Sequence, residues 1–319
     1  MVRRRNKLDD TILQKTDAAA VEDYESAVSL FLRELKVRNR SEYTVKYYAR
    51  ELLKAGGMLE RAGVDTSPER ITAKDIKTHI ILRMMDEKRK DTTVNARLRA
   101  LRAFFNYLVD EKLIKESPFN TVSLVTQQSR YIESFTKEQM RALLAAPAKE
   151  TFTGVRDYTI MLIMLETGVR LRELTEVSLK DIQWADDSAI KVHGKGAKDR
   201  LLPIQSTVKR ELRRYVAVRG ELHHDTLFVN IDNKPVSRRA IQTAIHKYGV
   251  LAGISNVRCS PHTLRHTFAK MSVQNGADTF TLQKILGHET LDMVRRYVNF
   301  FSKDLAVNHK KFSPVERLF

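Results

Sequence analysis

Apolar residues return at helical spacing through the first third of the chain. Val21, Tyr24, Val28, Phe31, Leu32 and Leu35 recur every three or four positions and predict a first helix through the twenties and thirties. Ser41 is a good N-cap for a second helix with Tyr48, Leu52, Ala55 and Leu59 on one side, interrupted at Gly56-Gly57 and stopped at Gly63. Thr72 with Asp75 three residues on reads as a capping box for a third helix. Asp91-Thr92 opens a fourth, with Val94, Leu98, Leu101, Phe105 and Leu108 facing inward. Together they predict a four-helix bundle over residues 21–115, behind a short polar segment, 1–20.

Ser117-Pro118 halts that pattern, and the polar stretch that follows has no helical period, so a linker is expected over 116–133. Thr136 and Gln139 form a second capping-box signature for a helix reaching Ala146. Residues 157–166 are a strongly apolar helix that ends at Thr167-Gly168. The period then changes. Residues 189–192 and 200–204 read as strands bracketing His193-Gly194-Lys195-Gly196-Ala197-Lys198-Asp199, a hairpin with a glycine-flanked lysine at its tip. Helical spacing resumes at 207–218 and 238–251, with Leu227-Phe228-Val229 as a short apolar segment between them. The expected fold is mainly α with a small antiparallel β-sheet (α+β), the second domain running over 134–297 and a tail over 298–319.

Charge narrows the partner. The 319 residues include 56 Lys and Arg against 39 Asp and Glu, a formal +17, and 42% of them are hydrophobic, enough for real cores. The basic residues are spread over many amphipathic segments, which favours nucleic acid over a membrane surface. On the fourth helix Asn95, Arg97, Arg99, Arg102 and Asn106 read as an outward row suited to phosphates or base edges, the alternative being a solvated face. Cys259 is the only cysteine and has no disulfide or metal-ligand companion, which fits a reducing compartment. Met1 to Arg5 resembles the start of a signal peptide, but Asn6-Lys7 and Asp9-Asp10 follow it, and the longest apolar run, 160–165, cannot cross a bilayer. A cytoplasmic, non-membrane protein is expected.

The chemistry gathers late in the chain. Ser260 and Pro261 suit the start of a helix, which puts His262, Arg265 and His266 at i, i+3 and i+4 on one face. Asp278-Thr279 opens a short helix that Gly287 ends, leaving His288 at the stop, and Tyr297 follows nine residues later. A tyrosine near such cations suggests a phenolic nucleophile for an anion, because its free pKa near 10 leaves it unreactive otherwise. Taken singly, each histidine or tyrosine reads as a structural residue. Upstream, Arg170 stands just past a glycine break with Glu173 placed to hold it by a charge-assisted bond, and Lys195 between two glycines suits a mobile proton donor.

In order, Thr-Gly-x-Arg-x-x-Glu-Leu (167–174), Gly-Lys-Gly-x-Lys-x-Arg (194–200), His-x-x-Arg-His (262–266), Leu-Gly-His (286–288) and Tyr297 resemble the tyrosine recombinase (phage-type integrase) family. The resemblance implies a two-domain DNA clamp, an N-terminal four-helix core-site-binding bundle followed by a catalytic domain. It implies that Arg170 and Arg265 clamp the scissile phosphate, Lys195 protonates the leaving 5′ oxygen, His262 and His288 assist, Glu173 supports, and Tyr297 attacks phosphorus. Arg97, Arg99 and Arg102 are the candidate DNA contacts.

The implied reaction is site-specific recombination of integrase, transposon or resolution type, through a 3′-phosphotyrosine and without ATP. Asp and Glu are scattered among basic residues with no two-metal cluster, so neither metal nor other cofactor is expected. Double-stranded DNA is the implied partner, with a tetrameric synaptic complex, docking by the 298–319 tail, accessory DNA-bending or directionality proteins, and residence at the nucleoid. Met293-Val294-Arg295-Arg296 and the extra Arg172 depart from the usual pattern, and the first twenty residues are too short for a separate arm-site domain. Two other readings share these residues: a type IB topoisomerase, and a catalytically silent DNA-binding protein.

Overall fold

In the computed structural model, which describes residues 23–126, 133–194, 199–287 and 290, the Asp23 carboxylate accepts the Ser26 N–H at 2.7 Å and starts α1 (Tyr24–Val37). The chain divides into two units, Met1–Ser129 and Arg130–Phe319. In the first, Ser41 caps α2 (Glu42–Glu60), which runs unbroken through Gly56 and Gly57. The expected interruption does not occur because Gly56 lies under the Tyr24 ring: a Cβ there would stand 2.7 Å from Cε1. Burial of Leu52, Ala55, Met58 and Leu59 on the same helix offsets the roughly 1 kcal/mol that each glycine costs.

Thr72 and Asp75 close their capping box, the Thr72 N–H reaching Asp75 Oδ2 at 2.9 Å and the Asp75 N–H reaching Thr72 Oγ1 at 3.2 Å. The short α3 (Ala73–Asp75) passes without a break through a π-helical stretch, Ile76–Leu82, into α4 (Arg83–Asp86). Next, α5 (Asp91–Asp110) buries Val94, Leu98, Leu101, Phe104, Phe105 and Leu108 against α1 and α2. Phe119 and Val122 join the same core, and Val125 exchanges two hydrogen bonds with Asn95, so the chain beyond Ser117 packs on the bundle as far as Val125.

The second unit centres on α7 (Phe152–Thr167), buried on nearly every side, as its uninterrupted apolar run requires. Around it pack α6 (Lys137–Ala145), opened by the Thr136 and Gln139 box, α9 (Ser206–Arg219), α10 (Arg238–Leu251) and α11 (Pro261–Gln274). Two further α-helices among its described residues are α8 (Leu171–Glu176) and α12 (Thr279–Leu286). An antiparallel sheet runs in the order β1 (Ile182–Gln183), β2 (Ala189–His193) and β3 (Asp199–Pro203), with His193 opposite Asp199 at the open end. Residues 227–229 make no named strand. The Leu227 N–H donates to the Val177 carbonyl at 2.9 Å, the Phe228 carbonyl accepts the Val236 N–H at 3.0 Å, and Val229 forms an isolated bridge with Pro235.

The fold is therefore mainly helical with one small antiparallel sheet. No helix among the described residues is long and apolar enough to cross a membrane. The expected 1–20 segment, part of the 116–133 linker, the hairpin tip with Lys195, His288, Tyr297 and the 298–319 tail lie outside the described residues.

Candidate active site

Gly168 sets the geometry. It ends α7 at φ 60°, and a Cβ on it would stand 2.3 Å from Phe268 Cδ1 and 2.8 Å from Leu286 Cδ2, so glycine is required for conformation and for space. Two residues on, Arg170 caps α8. Its backbone N–H donates to Glu173 Oε2 at 3.0 Å and its Nη1 to Glu173 Oε1 at 3.1 Å. The expected bond between these residues is formed, with an additional backbone anchor.

From α11, Ser260 caps the helix through the Thr263 N–H and Pro261 occupies the first turn, as the sequence requires. Arg265 is buried and points back to the Gly168 break, donating from Nη1 to the Gly168 carbonyl. His262 remains solvent-accessible. Partial desolvation, then the charges of Arg265, Arg258 and Arg170, hold its imidazole below the ordinary value and favour the neutral ring. His266 is also held low, by burial first and then by His262 and Arg265.

The end of α12 is where these elements meet. Three consecutive carbonyls each accept from a different arginine: Ile285 from Arg200 Nε at 2.9 Å, Leu286 from Arg265 Nη2 at 2.7 Å, and Gly287 from Arg170 Nη2 at 2.8 Å. Carbonyls at a helix C-terminus carry partial negative charge and lack intrahelical partners, so guanidiniums suit them electrostatically and as donors. Gly287 adopts φ 62° and turns the chain out at the residue before His288.

Arg200 belonged to the hairpin motif with no role attached to it. Its fork holds both oxygens of Glu173, Nη1 to Oε1 at 3.0 Å and Nη2 to Oε2 at 2.7 Å, with 14% and 6% of the two side chains exposed. Burial alone would raise the Glu173 pKa, but bonds and charge from Arg200 and Arg170 outweigh it and keep the carboxyl below its ordinary value. Two guanidiniums, Arg170 and Arg200, against that one carboxylate leave the group net positive, and Arg170 keeps 39% of its side chain exposed. An anion can reach it there.

At the base of the hairpin His193 Nδ1 lies 2.7 Å from Asp199 Oδ1, and Lys191 Nζ lies 2.9 Å from Asp199 Oδ2. These pairs fix the strands on either side of the tip that carries Lys195. Of the expected site residues, Arg170, Glu173, His262 and Arg265 are brought together, while Lys195, His288 and Tyr297 lie outside the described residues.

Two other tyrosines of this unit are otherwise engaged. Tyr215 is fully buried, its hydroxyl donating to the Leu227 carbonyl and accepting the Val229 N–H, both at 3.1 Å. Tyr248 donates to Asp157 Oδ2 at 2.9 Å, and burial with that carboxylate pushes its pKa up.

Of the expected outward row on α5, Arg99 and Asn106 are exposed, and the rest is corrected. Arg97 is buried, held by Glu51 at 3.2 Å and against the sulfurs of Met58 and Met84, and Asn95 is buried on Val125. Both lie on the core face because position 97 is three residues after Val94 and four before Leu101, and position 95 three before Leu98, within the apolar stripe. Arg102 is half-buried, donating to the Val122 carbonyl at 2.7 Å over the Phe119 ring. Only Arg99 of the three arginines is exposed. Among the exposed cations outside that row, α2 presents Lys46, Arg50 and Lys54 at four-residue spacing, with Arg61 at its C-cap, opposite the stripe of Leu52, Ala55 and Leu59; Lys46 also pairs with Glu42 and Arg50 with Glu51. Tyr47 seats α2 on α5 by donating to the Ala96 carbonyl at 2.7 Å, with Arg50 over its ring and the charge of Arg99 close enough to act on its hydroxyl.

Comparison with known proteins follows this division. Residues 133–303 match the family described as "Phage integrase family", and residues 28–112 match "Phage integrase, N-terminal SAM-like domain". The chain is 30% identical over 299 residues to tyrosine recombinase XerC of Thermodesulfovibrio yellowstonii, covering 91% of this chain and 97% of that one. It is also 30% identical over 297 residues to tyrosine recombinase XerC of Bacillus subtilis, covering 90% and 96%. Among solved structures it resembles in fold the XerH site-specific recombinase bound to palindromic difH substrate, with a TM-score of 0.72 at 20% identity over 90% of this chain and 85% of that one. It likewise resembles a lambda integrase dimer bound to a COC' core site, with a TM-score of 0.68 at 20% identity over 84% and 96%.

Proposed function

Since the chain belongs to the phage integrase family of tyrosine recombinases, enzymes that cleave and rejoin DNA in site-specific recombination, we propose which of its residues carry each step. Arg170 and Arg265 hold the scissile phosphate of a duplex. Tyr297 Oη attacks phosphorus, forming a 3′-phosphotyrosine as the bond to the 5′ oxygen breaks. Lys195 gives that oxygen its proton. His262 and His288 assist, His262 as a neutral imidazole able to hydrogen-bond a phosphate oxygen or relay a proton, and Glu173 supports Arg170.

The observation that carries this reading is the meeting of Arg170 and Arg265 on the Gly287 and Leu286 carbonyls, directly before His288. Negative charge builds on the non-bridging oxygens in the transition state, and each preorganised donor there contributes roughly 3 to 4 kcal/mol. The reverse attack, by a 5′ hydroxyl of a second strand, regenerates the phosphodiester and frees Tyr297. The phosphotyrosine conserves the bond energy, so no ATP is consumed. Guanidiniums and imidazoles supply the charge stabilisation, so the reaction proceeds without a metal ion or other cofactor.

In the first unit the DNA face is Lys46, Arg50 and Lys54 of α2, Arg61 at its C-cap and Arg99 of α5, a basic surface beside Tyr47. Arg102, engaged with Val122 and Phe119, stands at its margin. Four protomers assemble on two DNA sites, each tail, 298–319, docking on the next protomer, because head-to-tail contacts of this kind close into a ring. Accessory DNA-bending or directionality proteins and residence at the nucleoid belong to the same reading. The test is covalent capture. Wild-type protein incubated with a random-sequence library of nicked duplexes forms an adduct that survives denaturation, and Tyr297→Phe binds the recovered duplex without forming one. An adduct in that variant overturns the assignment.

A further inference from the structure

We infer that Arg200 is a positioning residue of the cleavage reaction, tying Glu173 to the carbonyl end of α12 and thereby fixing the backbone that continues to His288 and Tyr297. The inference rests on the roles proposed above for those two residues.

Arg200 opens out of β3, where pairing with Val192 fixes its backbone, one residue after the hairpin base. Its side chain crosses to two other motif segments at once. Both Nη atoms take the Glu173 carboxylate and Nε takes the Ile285 carbonyl at 2.9 Å. Its guanidinium also packs on Gly287, where a Cβ would stand 3.0 Å from Cζ and Nη1. The fork is thus spent on protein groups and is turned away from the role proposed for the partly exposed Arg170.

The consequence is mechanical. Glu173 orients Arg170, and Arg200 orients Glu173 while holding the helix end one residue before the carbonyl that Arg265 holds. One side chain ties the carboxylate that orients Arg170 to the carbonyl end of α12. A lysine at this position would keep the charge toward Glu173, but a single ammonium cannot span both carboxylate oxygens and the Ile285 carbonyl. A shift of about 1 Å in a reacting group costs on the order of 100-fold in rate, whereas DNA affinity comes from contacts spread over both units.

The test uses the full-length protein and a fluorescein-labelled nicked duplex recovered by covalent capture with wild type. Affinity is read by anisotropy, single-turnover adduct formation by denaturing gel, and folding by thermal melting. Arg200→Met is expected to bind within about threefold of wild type and to cleave about 100-fold more slowly. Arg200→Lys, which keeps an ion pair to Glu173 and secures folding, is expected to cleave about tenfold more slowly with unchanged affinity. The double variant Arg200→Met with Glu173→Gln should be no slower than the slower single, because the two residues act as one unit.

Cleavage by folded Arg200→Met and Arg200→Lys at the wild-type rate overturns the inference, and so does a loss of affinity that matches the loss of rate. Failure of the wild-type protein to capture any duplex overturns the proposed function instead, and the inference with it.

Discussion

Arg97 donates to Glu51 from Nε at 3.3 Å and from Nη2 at 3.2 Å, with 9% and 7% of the two side chains exposed, inside a bundle whose other arginines lie nearer its surface. Removing one partner strands a buried charge. Arg97→Ala is expected to lower unfolding free energy by about 3 kcal/mol, at the modest end because Arg50 still reaches Glu51 at 3.0 Å. Urea unfolding measures this. Arg99→Ala should instead leave stability within about 0.5 kcal/mol and reduce the salt slope of DNA binding by about one.

Tyr248→Phe and Tyr215→Phe retain covalent adduct formation, since one hydroxyl is bound to Asp157 and the other is buried between Leu227 and Val229. Tyr215→Phe lowers the melting temperature, because it leaves the buried Val229 N–H without its acceptor. Denaturing gels of the trapped species and thermal melts separate the two effects.

Adduct formation persists in excess EDTA, because guanidiniums meet the developing charge. Arg170→Ala and Arg265→Ala each reduce the single-turnover rate by about 10²- to 10³-fold. Arg265→Ala also destabilises the fold, since Arg265 bridges the Gly168 and Leu286 carbonyls from a buried position, whereas the half-exposed Arg170 does so less.

Stability should fall as the solution is acidified below neutrality. His262 and His266 have folded pKa values below their ordinary 6.5, so the unfolded chain takes up their protons first. Their contribution is present above 6.5 and is lost as pH drops through the folded values. Glu173, also held low, adds a second loss below its ordinary 4.5. His193 works in the opposite sense: Asp199 raises its pKa, so its contribution is full below 6.5 and is lost as pH rises through the folded value. Thermal melts from mildly acidic to mildly alkaline pH check the signs, with His266→Gln flattening the acid limb and His193→Gln the alkaline one.

Local physics made much of this molecule legible in one dimension. The Thr72 and Thr136 capping boxes, the Ser41 and Ser260 caps, the glycine stops at 168 and 287 and the β2–β3 hairpin each depend on residues a few positions apart, and each formed where the sequence placed it. The pairing of Arg170 with Glu173 was readable for the same reason, being three residues apart at a helix start. Other features depended on neighbours distant in sequence. Gly56-Gly57 looked like a break because nothing nearby says that Tyr24 fills the space above Gly56. Arg97 was read by its charge, although its helical phase put it with Val94 and Leu101, and only the fold supplied Glu51 as its partner. Arg200 stood in a motif as a cation like any other. Its function emerges only when β3, α8 and α12 converge, because a guanidinium's role is decided by which acceptors its fixed fork can reach, and tertiary structure brings those acceptors from 27 and 85 residues away.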